Sequence, residues 1–105
     1  MALSAAEKKY FRGIGHHLNP VVLVGGGGLS DALLAELDRA LEDHELIKVK
    51  VHAEDRAVRR EIIEALPGLC GCEVVQTVGN VALLYRPARR QNRKLSNLVR
   101  HAEGN

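Results

Sequence analysis

Hydrophobic and polar positions alternate along the chain in two different periods, which separate helical from extended segments. In three segments the apolar residues recur every three or four positions, as they do in a helix with one buried side. The apolar stripes of these segments are Tyr10, Phe11 and Ile14; Leu33, Leu34, Leu37, Ala40 and Leu41; and Val58, Ile62, Ile63 and Leu66. We therefore expect three helices that pack on one core.

Capping residues indicate where these helices begin. Ser4 is followed three positions later by Glu7, a capping box that predicts a helix start just after Ser4. Ser30 caps the second helix, and the third begins at about Asp55. Pro67 should end or kink the third helix, because proline lacks the amide hydrogen that the helix needs.

Two of the extended segments flank the second helix. "VVLV" (Val21–Val24) is too short for a helix and does not alternate, which predicts a strand buried on both faces. "LIKVKV" (Leu46–Val51) alternates, so that Lys48 and Lys50 point away from the apolar side. Strand, helix and strand form a βαβ unit, whose two strands should be parallel and joined by a right-handed crossover.

The last regular segment is "EVVQTVGNVALLY", which predicts two antiparallel strands joined by a turn at Gly79-Asn80. The resulting order, α-β-α-β-α-β-β, predicts one α/β domain with a four-stranded mixed sheet over residues 1–87. Residues 88–105 form a polar, basic tail that we expect to be poorly ordered, with Leu95, Leu98 and Val99 available for one docking turn.

Composition and charge narrow the class of protein. The chain has 105 residues, of which 46% are hydrophobic, as in one folded soluble domain, and we expect a cytoplasmic monomer. It has no apolar run near the roughly 18 residues of a membrane span, and no apolar segment follows the first lysines as in a signal peptide. Residues 86–105 contain six basic residues and one acidic residue. Such a tail is typical of proteins that bind polyanions, although a merely solvated tail has the same composition.

No pattern of chemically reactive residues predicts catalysis. Cys70 and Cys72 are one residue apart, a spacing that suits neither an ordinary disulfide nor a zinc site, and the five histidines form no ligand motif. No Ser/His/Asp or Cys/His grouping lies on a predicted rigid element. We therefore expect no enzyme, no metal, no cofactor and no small-molecule substrate.

Four consecutive glycines, Gly25, Gly26, Gly27 and Gly28, join the first strand to the second helix. A nucleotide site is one interpretation, but no Lys-Ser/Thr follows as in a P-loop, and a dinucleotide fingerprint would need glycine or alanine at Ser30. A flexible joint is the second, although one glycine usually suffices for such a loop. The third is a G-x-x-G clamp, in which bare backbone at a helix N-terminus binds a phosphodiester chain.

Three stretches in this order and spacing resemble the CRM domain (chloroplast RNA splicing and ribosome maturation), in particular its single-domain bacterial members of the YhbY type. They are "NPVVLVGGGGLS", "HELIKVKV" and "VGNVALLYRP", and the resemblance spans Leu3 to Pro87. It implies RNA binding, association with precursors of the large ribosomal subunit, and a fold like the C-terminal domain of translation initiation factor three. It also implies that the functional loop is Gly25 to Gly28.

The sequence departs from that family at two places. Gly26 and Gly27 stand where polar or basic residues are common, so the loop offers its backbone without side-chain contacts. Pro67 interrupts a helix that should continue.

The candidate RNA contacts beside the glycines are basic residues. They are Lys8, Lys9, Arg12, Lys48, Lys50, Arg86, Arg89 and Arg90. Alternating lysines on a strand can also be a solvated face or protect a sheet edge. With three aromatic residues, the chain lacks the material for a base-stacking platform, so RNA would be bound through its backbone and shape. The alternative function is a protein-interaction module that docks on ribosomal proteins without touching RNA.

Overall fold

The computed structural model describes residues 3–104, which form four helices and a four-stranded sheet. In chain order the elements are α1 (Ala5–Gly15), β1 (Pro20–Val24), α2 (Asp31–His44), β2 (Leu46–Val51), α3 (Arg56–Cys70), β3 (Glu73–Val78), β4 (Val81–Tyr85) and α4 (Asn97–Gly104). The predicted order of the first seven elements is confirmed. None of the described helices combines the length and the apolar character that crossing a membrane requires.

The helices begin at the predicted capping residues. Ser4 Oγ accepts a hydrogen bond from the Glu7 amide, and the Glu7 carboxylate accepts one from the Ser4 amide. Ser30 caps α2 by accepting from the Leu33 amide, and Asp55 caps α3 by accepting from the amide of Val58. Each cap provides a partner for an amide that lacks one within the helix.

The third helix does not end at Pro67; it continues for another turn to Cys70. Leu66 and Cys70, four residues apart, are both buried, so this turn is held against the sheet. Gly71 then ends the helix in the left-handed conformation (φ 63°), and its amide donates to the Pro67 carbonyl. Tertiary packing therefore outweighs the local preference of proline.

The sheet has the order β1-β2-β4-β3. The strands β1 and β2 are parallel, whereas β4 is antiparallel to both of its neighbours. Gly79, at φ 58°, provides the left-handed backbone of the turn between β3 and β4. The predicted mixed sheet and the hairpin at Gly79-Asn80 are thus confirmed.

Helices cover the two faces of the sheet unequally. On one face α2 and α3 bury a core that includes Val24, Leu37 and Val49. On the other face α1 packs Phe11 and Ile14 against the sheet. The cluster that α1 forms draws its strand residues from β2, β3 and β4 and includes none from β1.

The first strand is consequently buried on one face only, and the prediction of burial on both faces was wrong. Val22 and Val24 are buried, but Val21 and Leu23 are 50% and 59% exposed. The strand lies at the edge of the sheet, and none of the helices within residues 3–104 buries its α1-side residues. An apolar run of four residues does not reveal which of its faces stays open.

The segment after β4 folds back on the body, contrary to the poor order expected of the tail. The Glu45 carboxylate accepts hydrogen bonds from the Ala88 amide, the Gln91 side chain and the Ser96 hydroxyl, at 2.8, 2.6 and 2.7 Å. Further along, Leu98 packs on the core beneath α1. Glu45, the C-cap residue of α2, and the core under α1 are both distant from the tail in sequence, and together they hold it.

Glu45 combines features that an ordinary surface glutamate would not retain. It is 4% exposed, and its φ of 64° is positive, which costs a residue with a side chain on the order of 1 kcal/mol. Burial by itself raises the pKa of this carboxyl. The hydrogen bonds from Gln91, Ala88 and Ser96 outweigh burial, and the net pKa lies below its usual 4.5. The ionised carboxylate therefore holds the tail.

We expect Glu45→Gln to lower the free energy of unfolding by about 1–3 kcal/mol, because charge-assisted hydrogen bonds are lost. Amide hydrogen exchange should accelerate in residues 88–104 and not in the sheet. In the unaltered protein the same release should occur as the pH falls from 4.5 through the folded pKa, since a lowered pKa makes the stabilisation complete only above the unfolded value. Glu36→Gln, on the exposed side of α2, is the control. Equal exchange in both variants would contradict this role of Glu45.

Candidate functional site

The four glycines form a tight turn between β1 and α2. The Gly28 amide donates a hydrogen bond to the Gly25 carbonyl at 3.0 Å, and Gly28 itself has φ 66°. A side chain at Gly28 would strain this left-handed backbone, so the fold favours glycine there. Two residues later Ser30 starts α2, and the turn thus leads directly into a helix N-terminus.

The other three glycines are not required by the fold. A Cβ atom at Gly25, Gly26 or Gly27 would meet no atom within 4 Å, and none of the three has a left-handed φ. Gly26 and Gly27 are also exposed. A simple joint would need glycine at Gly28 alone. The remaining glycines leave a stretch of backbone bare toward the outside of the molecule, in front of the positive end of the α2 dipole.

The glycine loop lies at the end of the sheet where β1 and β2 both finish. The His52 amide donates to the Val24 carbonyl at 2.8 Å, which fixes the start of the β2–α3 connection beside the loop. A hollow of about 360 Å³ separates the loop from the first turns of α3, and Glu54 and Asp55 line it. These carboxylates repel phosphate, so an anion would approach Gly26 and Gly27 from the other side of the loop.

Lys48 and Lys50 lie on the sheet face that α1 leaves partly open. Their strand, β2, is an interior strand between β1 and β4, which excludes edge protection as their role. Lys50 is paired with Leu23, two residues before the glycine loop, and with Val81 on its other side. The lysines are thus set among apolar side chains on an accessible surface.

The first helix brings two further cations, Lys8 and Arg12, to this face, together with the imidazole of His16. Arg12 of α1 and His16, the C-cap residue one turn later, line a cleft of about 360 Å³ together with Lys48. Lys8 lies one turn before Arg12, so Lys8, Arg12 and His16 form a row along the helix. Sequence reasoning missed His16, although its spacing of four residues from Arg12 was the available signal. Lys9 is exposed on a neighbouring side of the helix.

The charges of this surface are not compensated within the described part of the chain. There, none of the five predicted cations on α1 and β2 forms an ion pair. We refer to this set as the basic face: Lys8, Lys9, Arg12, Lys48 and Lys50, with His16. A surface with unpaired cations attracts a polyanion, and salt screens that attraction.

Arg86, predicted as a further contact, is instead occupied within the protein. Its guanidinium donates to the Asp38 carboxylate at 2.7 Å, to the Asp38 carbonyl at 3.0 Å and to the Cys70 carbonyl at 3.1 Å. Its side chain is only 13% exposed. Arg86 therefore ties the end of β4 to α2 and α3, and the structure does not bring it to the basic face.

Arg89 and Arg90 lie near the C-terminal end of α2, at the other end of that helix from the glycine loop. Their amides donate to the two oxygens of the Glu42 carboxylate at 3.0 and 3.1 Å. These two bonds, with smaller help from the nearby arginines, lower the pKa of Glu42. The two side chains remain exposed, but they are separate from the basic face.

The thiols offer no reactive site. Cys70 and Cys72 are free and buried, and burial raises the pKa of Cys72 to about 11. At neutral pH the sulfur is therefore protonated and a poor nucleophile or metal ligand. Over residues 3–104 no three His, Cys, Asp or Glu side chains are grouped as a metal ion would require.

Known proteins resemble this chain in both sequence and fold. The family model for the CRS1/YhbY (CRM) domain matches residues 3–86. A probable RNA-binding protein of Pseudomonas aeruginosa is 47% identical over 102 residues, which are 97% of this chain and 98% of that protein. An RNA-binding protein of Haemophilus influenzae is 48% identical over 86 residues, covering 82% of this chain and 87% of the relative.

A solved structure has the same architecture. It is the solution structure of a hypothetical protein of Staphylococcus aureus that is described as a candidate RNA-binding protein. The TM-score is 0.73 at 29% sequence identity, with 90% of this chain and 98% of that chain covered.

Proposed function

This chain belongs to the CRS1/YhbY (CRM) domain family, and we propose that it is an RNA-binding protein, not an enzyme, that holds the RNA backbone between its glycine loop and its basic face. Relatives whose names state RNA binding cover nearly the whole chain, which supports the general function. The local chemistry supports the site.

One observation carries the proposal: within the described residues, three glycines of the loop have no neighbour that would exclude a larger side chain. Gly25, Gly26 and Gly27 have open space where a side chain would lie, so packing within residues 3–104 does not explain three consecutive glycines at this helix N-terminus. Bare amides at the start of α2 suit a phosphate, since they donate hydrogen bonds and the helix dipole is positive there. A phosphodiester chain can approach such a backbone closely.

The basic face provides the second part of the mechanism. Lys50 pairs with Leu23 of β1, which lies two residues before the loop. Lys48, on the same strand as Lys50, lines one cleft with Arg12 and His16. One RNA strand can therefore run from the glycine loop across the sheet toward α1, with its phosphates near these side chains. These contacts neutralise backbone charge and do not distinguish bases.

We further propose that the RNA is large-subunit ribosomal RNA or its precursor particle, and that the protein acts in the cytoplasm as a monomer during subunit assembly. This part depends on the resemblance to the single-domain bacterial CRM proteins. Binding to the precursor particle can be tested by sedimenting the protein with immature and mature large subunits. Co-sedimentation with immature particles alone is the expected result.

Docking on a ribosomal protein is the second candidate, and the apolar side chains on the open face favour it. Leu23 is 59% exposed and pairs with Lys50, and Val78, 65% exposed, lies on the far side of Val81 from Lys50. Contacts between apolar surfaces depend little on salt, whereas release of counterions from RNA makes binding weaken steeply as salt rises. The salt dependence of binding therefore separates the two functions.

Replacing Lys48 and Lys50 by alanine is expected to reduce the slope of log K against log salt by roughly 0.7 to 0.9 for each residue. Both side chains lie on the accessible face, so the fold should survive. Binding of a large-subunit ribosomal RNA fragment should be measured at several salt concentrations. The control, Arg39→Ala/Lys94→Ala, removes the same charge from exposed residues of α2 and the tail. If both variants keep the original slope, the lysines of β2 do not contact phosphate.

A further inference from the structure

A second group of cations lies on the opposite side of the sheet from the basic face. A groove of about 540 Å³ runs between α3 and the edge strand β3. Arg56, Arg59 and Arg60 of α3 line it, and the buried Ile63 and half-buried Val74 contribute apolar surface. Sequence reasoning did not select these arginines. The spacing of i, i+3 and i+4 gathers them on one side of the helix.

These arginines are not explained by the stability of the fold. None of them forms an ion pair with any residue in the range 3–104. Arg56 is the first residue of α3, and the first turn contains no acidic residue. Cations at a helix N-terminus face the positive end of its dipole, which is unfavourable. The Asp55 carboxylate, which caps α3, offsets part of this cost, but none of the three arginines gains an ion partner within residues 3–104.

The lining of the groove matches a nucleotide better than a simple anion. Its volume lies within the range of about 300–1,000 Å³ that is usual for small-ligand sites. Arginine guanidinium groups bind phosphate in a bidentate manner and stack on bases. Ile63, Val74 and Pro67 offer apolar contact to a base or ribose. Glu64, the acidic residue in the lining, repels phosphate but accepts a hydrogen bond from an exocyclic amino group.

We propose that this groove binds a nucleotide of single-stranded RNA, with the arginines on phosphate and base and with Glu64 favouring a base that carries an amino group. The inference rests on the proposed function, since it assigns a second contact to the same RNA. It also supplies base discrimination, which the side-chain-free loop cannot provide.

The groove and the hollow beside the glycine loop lie on neighbouring sides of the first two turns of α3. Val58 and Ile62 line the hollow beside the loop, whereas Arg59 and Ile63 line the groove. A helix with its side chains is about 10–12 Å wide, a distance that a few nucleotides span. The turn at Gly79 also borders the groove, so both sites open at the same end of the sheet. The two sites are therefore close enough for one strand to occupy both, provided that the strand passes outside the hollow that Glu54 and Asp55 line.

The test is a titration of the full chain with short oligocytidylate and oligouridylate of equal length, followed by amide NMR. We expect shifts at Ile63, Glu64 and Thr77 in addition to those at the glycine loop. Oligocytidylate should bind at least about fivefold more tightly, because cytosine has an amino group and uracil does not. Shifts at the loop without shifts at the groove would overturn the groove and leave the clamp. Shifts at the groove alone would overturn the clamp and leave the groove.

Two variants and one control variant test whether the arginines and Glu64 bind RNA in the groove. Arg56→Gln/Arg60→Gln should remove the groove shifts, lower affinity at least tenfold and reduce the salt slope by roughly 0.7 per residue. The charge-matched Arg39→Gln/Lys94→Gln should retain the groove shifts. Glu64→Ala should abolish the preference for cytosine while strengthening oligouridylate binding. A preference that survives Glu64→Ala would refute base discrimination by the groove.

Competitors separate a nucleotide site from other anion sites. Inorganic phosphate and polyglutamate should displace oligocytidylate from the groove only at much higher concentrations of charge. Equal displacement by phosphate would reduce the groove to a general anion site, and equal displacement by polyglutamate would make it a site for acidic protein segments. Either result would overturn the proposal.

Discussion

Replacing Gly26 and Gly27 together by aspartate is expected to abolish most RNA binding without unfolding the protein. A carboxylate near a phosphate costs about 1 kcal/mol in water and more where water is partly excluded. Two of them should weaken binding by roughly thirtyfold or more. Affinity for a large-subunit ribosomal RNA fragment should be measured together with the free energy of unfolding.

The stability of this double variant should stay near that of the unaltered protein. A Cβ atom at Gly26 or Gly27 meets no neighbour, and neither residue has a left-handed φ, so no backbone strain arises. An acidic side chain close to the α2 N-terminus is locally favourable. The control is Gly68→Asp/Ala102→Asp, which adds the same charge at exposed positions of α3 and α4. A folded Gly26→Asp/Gly27→Asp variant with native affinity would refute the clamp.

Replacing Gly15 by valine is expected to have the second large effect, on stability and on the basic face at once. A Cβ atom at Gly15 would lie 2.7 Å from Leu83 Cδ2 and 2.8 Å from its Cδ1. Leu83 is buried in the core under α1, and its Cγ would also lie only 3.3 Å from the added atom. Overpacking of this kind costs about 1–3 kcal/mol. It should also push the end of α1, with Arg12 and His16, away from Lys48.

The matched control for this variant lies two residues earlier. Gly13 is in the same helix, and a Cβ atom there meets nothing within 4 Å. Gly13→Val therefore changes helix propensity by a similar amount without the contact to Leu83. We expect only Gly15→Val to lower the unfolding free energy strongly and to weaken RNA binding. Equal unfolding free energies for the two variants would show that the close approach of α1 to Leu83 contributes nothing.

Features encoded by neighbouring residues could be predicted from the sequence. The capping box at Ser4 and Glu7, the caps at Ser30 and Asp55, and the turn at Gly79-Asn80 all involve residues within a few positions of one another. Their geometry is satisfied locally, so the residue pattern is sufficient. The same holds for the glycine tetrad, whose excess over the need of a turn was visible in the sequence.

Features that depend on what lies opposite a residue could not be predicted in this way. Pro67 remains inside a helix because Leu66 and Cys70 are buried on the sheet. The face of β1 with Val21 and Leu23 is open because α1 packs elsewhere. The energies that decide both cases come from packing between elements, which local propensity does not contain.

Charge shows the division most clearly. The sequence by itself determined which residues are cations, and it indicated Lys48, Lys50 and Arg12 as candidate RNA contacts. Only the tertiary structure decided which charges are free: Asp38 occupies Arg86, whereas Arg12 and Lys48, separated by 36 positions in number, meet at one cleft. The physical reason is that the attraction between charges depends on distance in space, and folding, not sequence order, sets that distance.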